Sequence, residues 1–389
     1  MFDFDQPTDR RLSGSYKWDS THGNETRPDD ILPLWVADMD FKTAPCIIDA
    51  LRRRVDHGIF GYTHVGEDYY DALNHWFSTR HGLRIKREDV IYTSGVVPAI
   101  SAIIKALTAP GDHVIVQTPV YNCFFSSIRN NKCLQIDNPL IYSNKTYHID
   151  FDDFERKAAD PKAKVFLLCN PHNPAGRVWK REELTRLGEI CHRHNVVVVA
   201  DEIHCELVYS PYRYTPFASI NEEFRNRSIT CLSPSKAFNT AGLQIANIVV
   251  PDEKMRRLVD RAINDNEVCD VNPFGPVGLI AAYNEGLPWL ETLIAYLYDN
   301  YLALCSFIEK ELPSIDVVTL EGTYLAWLDC RRLGMTSEEI ERRALEKGHV
   351  WVNGGSIYGA AGEGFIRINL ATQRSRLLEG LRRFALAIK

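Results

Sequence analysis

A lysine set among small hydroxyl residues, a carboxylate closing an apolar run and an asparagine between two prolines are the groups best placed for chemistry in this 389-residue chain. The lysine is Lys236, in Ser233-Pro234-Ser235-Lys236-Ala237-Phe238-Asn239. A lysine attacks a carbonyl only when its amine is partly neutral, which burial and nearby positive charge can arrange. A solvated surface lysine is the plain alternative. Ser-x-x-Lys spacing also occurs in serine hydrolases, whose further Ser and Lys elements are not found here. The carboxylate is Asp201, in Asp201-Glu202-Ile203-His204 after Val196-Val197-Val198-Val199-Ala200. Burying it is costly without a cation. No neighbour in sequence supplies one, so a ligand cation is its candidate partner. His204 could be a metal ligand or general base, or it could simply pack and hydrogen-bond. Asp201 with Glu202 could suggest a metal pair, but no His-Glu-x-x-His or similar spacing accompanies them.

Two further stretches have the same character. Asn170-Pro171-His172-Asn173-Pro174-Ala175-Gly176-Arg177 predicts a sharply turning loop that presents Asn173 rigidly, a plain structural turn being the alternative. In Ser94-Gly95-Val96-Val97-Pro98, Gly95 permits a tight turn and Pro98 suits the first turn of a helix. The N–H groups of Gly95, Val96 and Val97 would then form an anion site, although an ordinary strand-to-helix turn has the same signature.

These stretches need elements to hold them. Short β-branched runs at 90–93, 113–117, 164–169, 196–200, 229–232 and 246–250 predict strands, and apolar periodicity predicts helices over 98–107 and 182–194. The continuous apolar run ending at Ala200 suits a strand buried on both faces of a mostly parallel sheet. Alternating strands and helices predict an α/β fold, with ligands at the carboxyl ends of strands, which is where each motif falls. Lys236 is expected in a loop. After about residue 285 the pattern changes: a helix over 288–311, strands at 316–320 and 324–328, a helix over 337–347, a further strand pair and a helix over 374–388. At roughly 150 residues per domain the length allows about two or three. The pattern predicts a large domain at 50–285, and a smaller α/β domain formed by 286–389 with an N-terminal arm, 1–49.

Composition narrows the class. Hydrophobic residues make up 45% and charged residues 25%, enough apolar material for a large core and against disorder. The 45 Lys and Arg against 51 Asp and Glu give a net charge of −6, without the cationic footprint of a nucleic-acid binder. Small molecules are the expected partners. No apolar run is long enough to span a bilayer, and the first residues show no basic segment leading into an apolar one, so no secretory signal is expected. Ten cysteines without a Cys-x-x-Cys pair fit neither a zinc knuckle nor a disulfide framework. They are expected as buried thiols of a cytoplasmic protein.

Taken in order, the stretches at Ser94, Asn170, Asp201 and Ser233 resemble those of fold-type I pyridoxal-phosphate (PLP) enzymes over nearly the whole chain. Trp35-Val36-Ala37-Asp38-Met39-Asp40-Phe41, Gly61-Tyr62-Thr63 and Gly364-Phe365-Ile366-Arg367-Ile368-Asn369 narrow the resemblance. They are similar to the MalY/PatB group of cystathionine β-lyases (C–S lyases) within the class I/II aminotransferase superfamily. The resemblance implies the fold-type I architecture, a large domain with a mostly parallel sheet flanked by helices plus a smaller α/β domain. It implies PLP joined to Lys236, which later carries the proton at the substrate Cα. By the same likeness Asp201 pairs with the pyridine nitrogen, Asn173 donates to the ring oxygen and Tyr121 stacks on the ring. Gly95, Val96, Val97, Ser233 and Ser235 hold the phosphate, and Arg367 clamps the substrate carboxylate with Ala37 lining the same pocket. Tyr62 reaches the phosphate of a neighbouring subunit, implying a homodimer with shared sites. Two positions depart from the aminotransferase pattern: Ala241-Gly242-Leu243-Gln244 stands where many relatives have a phosphate-binding Arg, and His204 stands where a Tyr near the ring oxygen is common. Both departures agree with the C–S lyase group.

The implied reaction is β-elimination from cystathionine or another S-substituted cysteine, giving a thiol such as homocysteine, with pyruvate and ammonia. Rival readings are an aminotransferase sharing the same early steps, a lyase with a second, regulatory protein-binding role, and, more distantly, a zinc hydrolase. Trp351, Tyr358 and the Phe124-Phe125 pair could line the substrate pocket or pack in the core.

Overall fold

The structure, a computed structural model, describes residues 2–20, 30–265 and 270–389. Its main sheet has seven strands: β1 (Val90–Thr93), β2 (His113–Val116), β3 (Leu134–Asp137), β4 (Ala163–Cys169), β5 (Val197–Asp201), β6 (Ser228–Leu232) and β7 (Ala246–Val249). Their order is β1-β7-β6-β5-β4-β2-β3. Only β7 runs against its neighbours; the other pairings are parallel. The period of two along a strand sends alternate side chains to opposite faces. Val165, Leu167 and Cys169 of β4 join Val199, Ile229 and Cys231 in one apolar layer. Phe166 and Leu168 join Val198 and Ala200 in the other. Each large side chain so buried contributes about 1.5–3 kcal/mol, and this fixes the register against a one-residue slip. That register pairs Cys169 with Asp201 and Asp201 with Cys231. The carboxyl ends of β4, β5 and β6 therefore finish side by side.

Helices cover both faces. The helix Val96–Leu107 buries Val96, Ala99, Ile100, Ile103 and Ile104, one stripe of its surface. Arg181–Arg193 buries Leu184, Leu187, Ile190 and Cys191 on the other side of the sheet. The first begins two residues earlier than its apolar pattern suggests, with Gly95 in extended backbone as the residue that precedes its first turn.

A second sheet is wholly antiparallel. It contains β8 (Asp316–Val317), β9 (Leu325–Asp329), β10 (Asn353–Gly354) and β11 (Phe365–Asn369), in the order β8-β9-β11-β10. The strand expected over 316–320 is cut to two residues because Thr319 N–H turns away to the Lys145 carbonyl. The 25-residue helix Leu287–Glu311 carries its buried stripe through Leu290, Leu293, Leu297, Asn300 and Leu304. Within that stripe Asn300 donates to the carbonyls of Leu370 and Thr372 at 2.9 and 2.8 Å, tying the helix to the chain just past β11. Leu32–Pro33 pairs in parallel with Val350–Trp351, which brings the segment from Trp35 to Phe41 across the gap between the two sheets. Nine of the ten cysteines lie among the described residues and all nine are free thiols; Cys269 lies outside them. Among the described residues no helix is long and apolar enough to cross a membrane.

Candidate active site

The strand ends and the Trp35–Phe41 segment enclose a cavity of about 440 Å³. Of the thirteen residues singled out from the sequence, twelve line it: Ala37, Gly95, Val96, Val97, Tyr121, Asn173, Asp201, His204, Ser233, Ser235, Lys236 and Arg367. Tyr62 does not. It lies on the surface, 99% exposed, in the loop before the helix Glu67–His81.

Asp201 ends β5, buried, and accepts one hydrogen bond, from Ile203 N–H at 3.2 Å. Among the described residues no cationic side chain forms an ion pair with it. Burial pushes its carboxyl up to about 6, only partly opposed by the Ile203 N–H and the charge of Lys236. Glu202 beside it is also buried and is pushed up to about 7, but has donors in Tyr214, Phe217 N–H and Asn170.

Lys236 is not in a loop. Ser235–Phe238 forms one helical turn directly after β6, closed by Asn239 in the left-handed conformation (φ 55°) that Asn tolerates better than most residues. The turn aims the lysine inward, where Nζ donates to the Ala37 carbonyl at 2.6 Å. Burial and the charge of Arg367 push its amine down to about 8, against the opposing pull of Asp38 and Asp201. The condition for a nucleophilic lysine is therefore met.

Arg367 sits in β11, opposite Trp327 and Asn353. Its Nη1 donates to Asn173 Oδ1 at 3.1 Å and its Nη2 to the Trp35 carbonyl at 2.8 Å, while Nε is buried with no partner among the described residues. The guanidinium lies 4.9 Å from the Tyr358 ring centre. Because Asn173 spends its oxygen on Arg367, its amide N–H₂ is left to donate elsewhere. The loop presenting it contains two cis Asn–Pro bonds and turns at Gly176. That glycine has φ 69°, a left-handed conformation that favours glycine, and a Cβ there would also press on the Leu320 methyl at 2.8 Å. Arg177 then bolts the loop down, reaching Glu321 and Glu183 through buried charge-assisted bonds.

At the other end of the cavity stands the start of the helix Val96–Leu107, whose first N–H groups have no intrahelical acceptor. Gly95 has φ 175° and ψ 164°, extended backbone open to any residue, and a Cβ would meet Pro98 only at 3.4 Å. The tight turn expected there is absent, and what remains of the reading is the helix end itself. Opposite it, Ser233 Oγ donates to the Ile245 carbonyl at 2.8 Å and lies 2.9 Å from Ser235 Oγ. Ala241 lines this end and Gln244 is exposed, so neither puts a cation where the arginine is absent.

His204 is buried, its Nδ1 without a partner among the described residues; burial and the charges of Lys236 and Arg367 hold it well below its ordinary value and hence neutral. Among the described residues no three His, Cys, Asp or Glu side chains are grouped to hold a metal ion. Tyr358 lines the cavity, whereas Trp351 is buried and stacks on Trp35 at 3.9 Å, and Phe124 packs into a sheet layer. Sequence reasoning missed Tyr16, Asn122, Asn353 and Ile357 in the lining. It also missed Tyr324, whose hydroxyl donates to the Ala37 carbonyl at 2.9 Å. None of these follows a main-sheet strand in the way the recognised motifs do, apart from Asn122 beside Tyr121.

With this constellation in place, likeness to known proteins has a physical meaning. The aminotransferase class I and II family matches residues 29–384. The chain belongs to that family. Cystathionine beta-lyase PatB of Bacillus subtilis (strain 168) is 42% identical over 385 residues, covering 99% of both chains. Protein MalY of Escherichia coli (strain K12) is 33% identical over 383 residues, covering 98% of this chain and 97% of its own. In structure, cystalysin from Treponema denticola, which contains a pyridoxal 5'-phosphate cofactor, superposes with a TM-score of 0.97 at 35% identity, covering 100% of this chain and 98% of that one. The fold is therefore that of fold-type I PLP enzymes, as the order of motifs implied.

Proposed function

We infer that the chain is a PLP-dependent carbon–sulfur β-lyase that cleaves cystathionine or related S-substituted cysteines to a thiol, pyruvate and ammonia. One observation carries the reading: Asp201, a buried carboxylate that has no ion pair among the described residues, faces the same cavity as a buried lysine amine and a buried guanidinium. That set fits PLP group by group. A protonated pyridine nitrogen would be the cation that Asp201 lacks, the Asn173 amide N–H₂ suits the ring oxygen, and Tyr121 would supply a stacking face. The Val96 and Val97 N–H groups with the Ser235 hydroxyl, and Gly95 and Ser233 beside them, suit the phosphate. His204, neutral and with Nδ1 unpartnered, is one more group that can face the ring.

PLP, when bound, supplies the carbonyl that captures the substrate amine and the electron sink that makes both the Cα–H and Cβ–S bonds breakable. The rest belongs to the chain. Asp201 keeps the proton on the ring nitrogen. Arg367 holds the α-carboxylate, a bidentate task for which a guanidinium is suited, and so fixes which Cα bond faces Lys236. Lys236, its amine free, would take the Cα proton on Nζ, which its lowered basicity permits near neutral pH. The thiolate then leaves from Cβ. The relatives named as cystathionine beta-lyase and cystalysin support this outcome over transamination.

The deciding experiment is pyruvate release from L-cystathionine by the PLP-loaded protein with no keto acid added. Sustained release with stoichiometric thiol is expected. Dependence on an added keto acid would overturn the lyase reading in favour of an aminotransferase. We also propose a homodimer with shared sites. Ile59, Phe60 and Tyr62 stand out together into solvent, with Phe60 against Phe274 at 5.7 Å. A second copy would cover them, placing Tyr62 at its phosphate end. A monomer by light scattering would refute this. We divide the chain into a large domain at 50–285 and a smaller one built from 1–49 and 286–389, and assign it to the cytoplasm.

A further inference from the structure

Lys236 and Tyr324 converge on one oxygen. The Ala37 carbonyl accepts Nζ–H from Lys236 at 2.6 Å and O–H from Tyr324 at 2.9 Å, which uses both of its lone pairs. Tyr324 is delivered to this point by a firmly held stretch of backbone. Thr323 beside it has φ 69°, a costly conformation for a β-branched residue. Its N–H goes to the Leu207 carbonyl at 2.7 Å, and its own carbonyl accepts the Tyr209 hydroxyl at 2.6 Å. The Tyr324 carbonyl in turn accepts Leu370 N–H at 2.8 Å. A strained residue pinned on both sides so that its neighbour's hydroxyl reaches a carbonyl used by the reactive amine calls for a reason.

We propose that Tyr324 is a positioning residue for Lys236, fixing the Ala37 carbonyl as the rest for the free amine and disfavouring its protonation there. The inference rests on the assignment of Lys236 as the group that takes the Cα proton. Its physical basis is competition for one acceptor. An oxygen already bound by a hydroxyl is a weaker acceptor, and an ammonium loses more by that weakening than an amine does. With one N–H held on Ala37, the nitrogen lone pair would be free to take the proton as the Cα–H bond breaks, the bond's electron pair going to the sink that PLP would supply. The other groups facing the amine are Arg367, which opposes its protonation, Asp38, Asp201 and Cys123, which favour it, and His204, which is neutral.

Tyr324→Phe removes the hydroxyl and keeps the ring. Two measurements test it. The first is exchange of the Cα proton of L-alanine in deuterated water by the PLP-loaded protein, which needs neither a leaving group nor a keto acid. The second is the pH dependence of acetic anhydride labelling at Lys236 in the cofactor-free chain, read by mass spectrometry. Loss of one hydrogen bond predicts exchange roughly three- to tenfold slower at neutral pH, with KM and the cofactor absorption band unchanged. It also predicts a labelling midpoint raised by about half a unit to one unit. Tyr69→Phe, which loses a buried hydroxyl bond to Asn247 away from the cavity, controls for stability and should move neither readout. A fall in Tm with the exchange rate and the labelling midpoint both unmoved would overturn the proposal and leave Tyr324 as a brace. Exchange that behaves as expected without any pyruvate from cystathionine would sink the lyase reading alone.

Discussion

Asp201→Asn should act in opposite directions on the cofactor-free and cofactor-loaded protein. In the cofactor-free chain the Asp201 carboxyl is held at about 6 against an ordinary value of 3.8. The folded state therefore binds more protons than the unfolded state between about pH 4 and 6. Stability then falls as pH rises through that window and stays lower above it. Two pH units correspond to about 3 kcal/mol at full burial. Removing the charge also relieves Glu202, which Asp201 helps push up, so the effect has one sign. The cofactor-free variant should lose about 3 kcal/mol less than the parent between pH 4 and 8, read by urea denaturation at each pH. With PLP present the order inverts. The variant loses a charge-assisted bond worth about 1.5–3 kcal/mol, so PLP should bind roughly 10- to 150-fold more weakly. Equal pH dependence of the two cofactor-free proteins would refute the argument that Asp201 is a buried charge awaiting a ligand cation. Unchanged PLP affinity would refute its assignment to the pyridine nitrogen.

Three further outcomes follow from the same geometry. Lys236→Ala should abolish turnover, and borohydride should no longer fix PLP on the chain, as seen by intact mass. Arg367→Gln should raise KM for amino-acid substrates and, by removing the charge that opposes protonation of Lys236, lift the labelling midpoint of that amine above about 8 in the cofactor-free chain. Asn239→Ala removes bonds to Met39 N–H and to the Met39 and Phe41 carbonyls, each about 3 Å long; at about 0.5–1.5 kcal/mol each, unfolding should become easier by about 2–4 kcal/mol, measured by chemical denaturation.

What could be read from the sequence was what the main sheet positions. Asp201, Asn173 and Lys236 each follow a strand whose apolar run gives its end to within a residue or so, and the ends of neighbouring parallel strands lie together whatever the loops do. Legibility failed where position depends on contacts far along the chain. Tyr324 and Asn353 reach the site only because β9, β10 and β11 face the main sheet, and no local pattern announces that. Trp35 follows a strand, Leu32–Pro33, whose partner Val350–Trp351 lies more than three hundred residues away, and Tyr16 lies further back in the same N-terminal arm. Gly95 misled for a different reason: glycine suggests a special turn, but here the backbone is simply extended. Lys236 was expected in a loop because a single helical turn is too short to produce periodicity.

The Trp35–Phe41 segment shows why polar residues cluster next to the reactive ones. Asn239 lies three residues after Lys236 and binds the segment at Met39 and Phe41. Asn369 lies two residues after Arg367 and donates to the carbonyls of Val36 and Asp38. The lysine's helical turn and the arginine's strand are thus each fastened to the same seven residues, whose Trp35 and Ala37 carbonyls receive the guanidinium and the amine directly. From outside, Arg10 and the fully buried Lys17 hold Asp38 and Asp40. Removing one partner of a buried pair costs about 3–5 kcal/mol, so the segment has little freedom to shift alone. The carboxylate clamp and the proton-accepting amine are consequently tied to one short strap as well as to their own sheets. That arrangement suits chemistry in which an ångström of misplacement is worth about a hundredfold in rate.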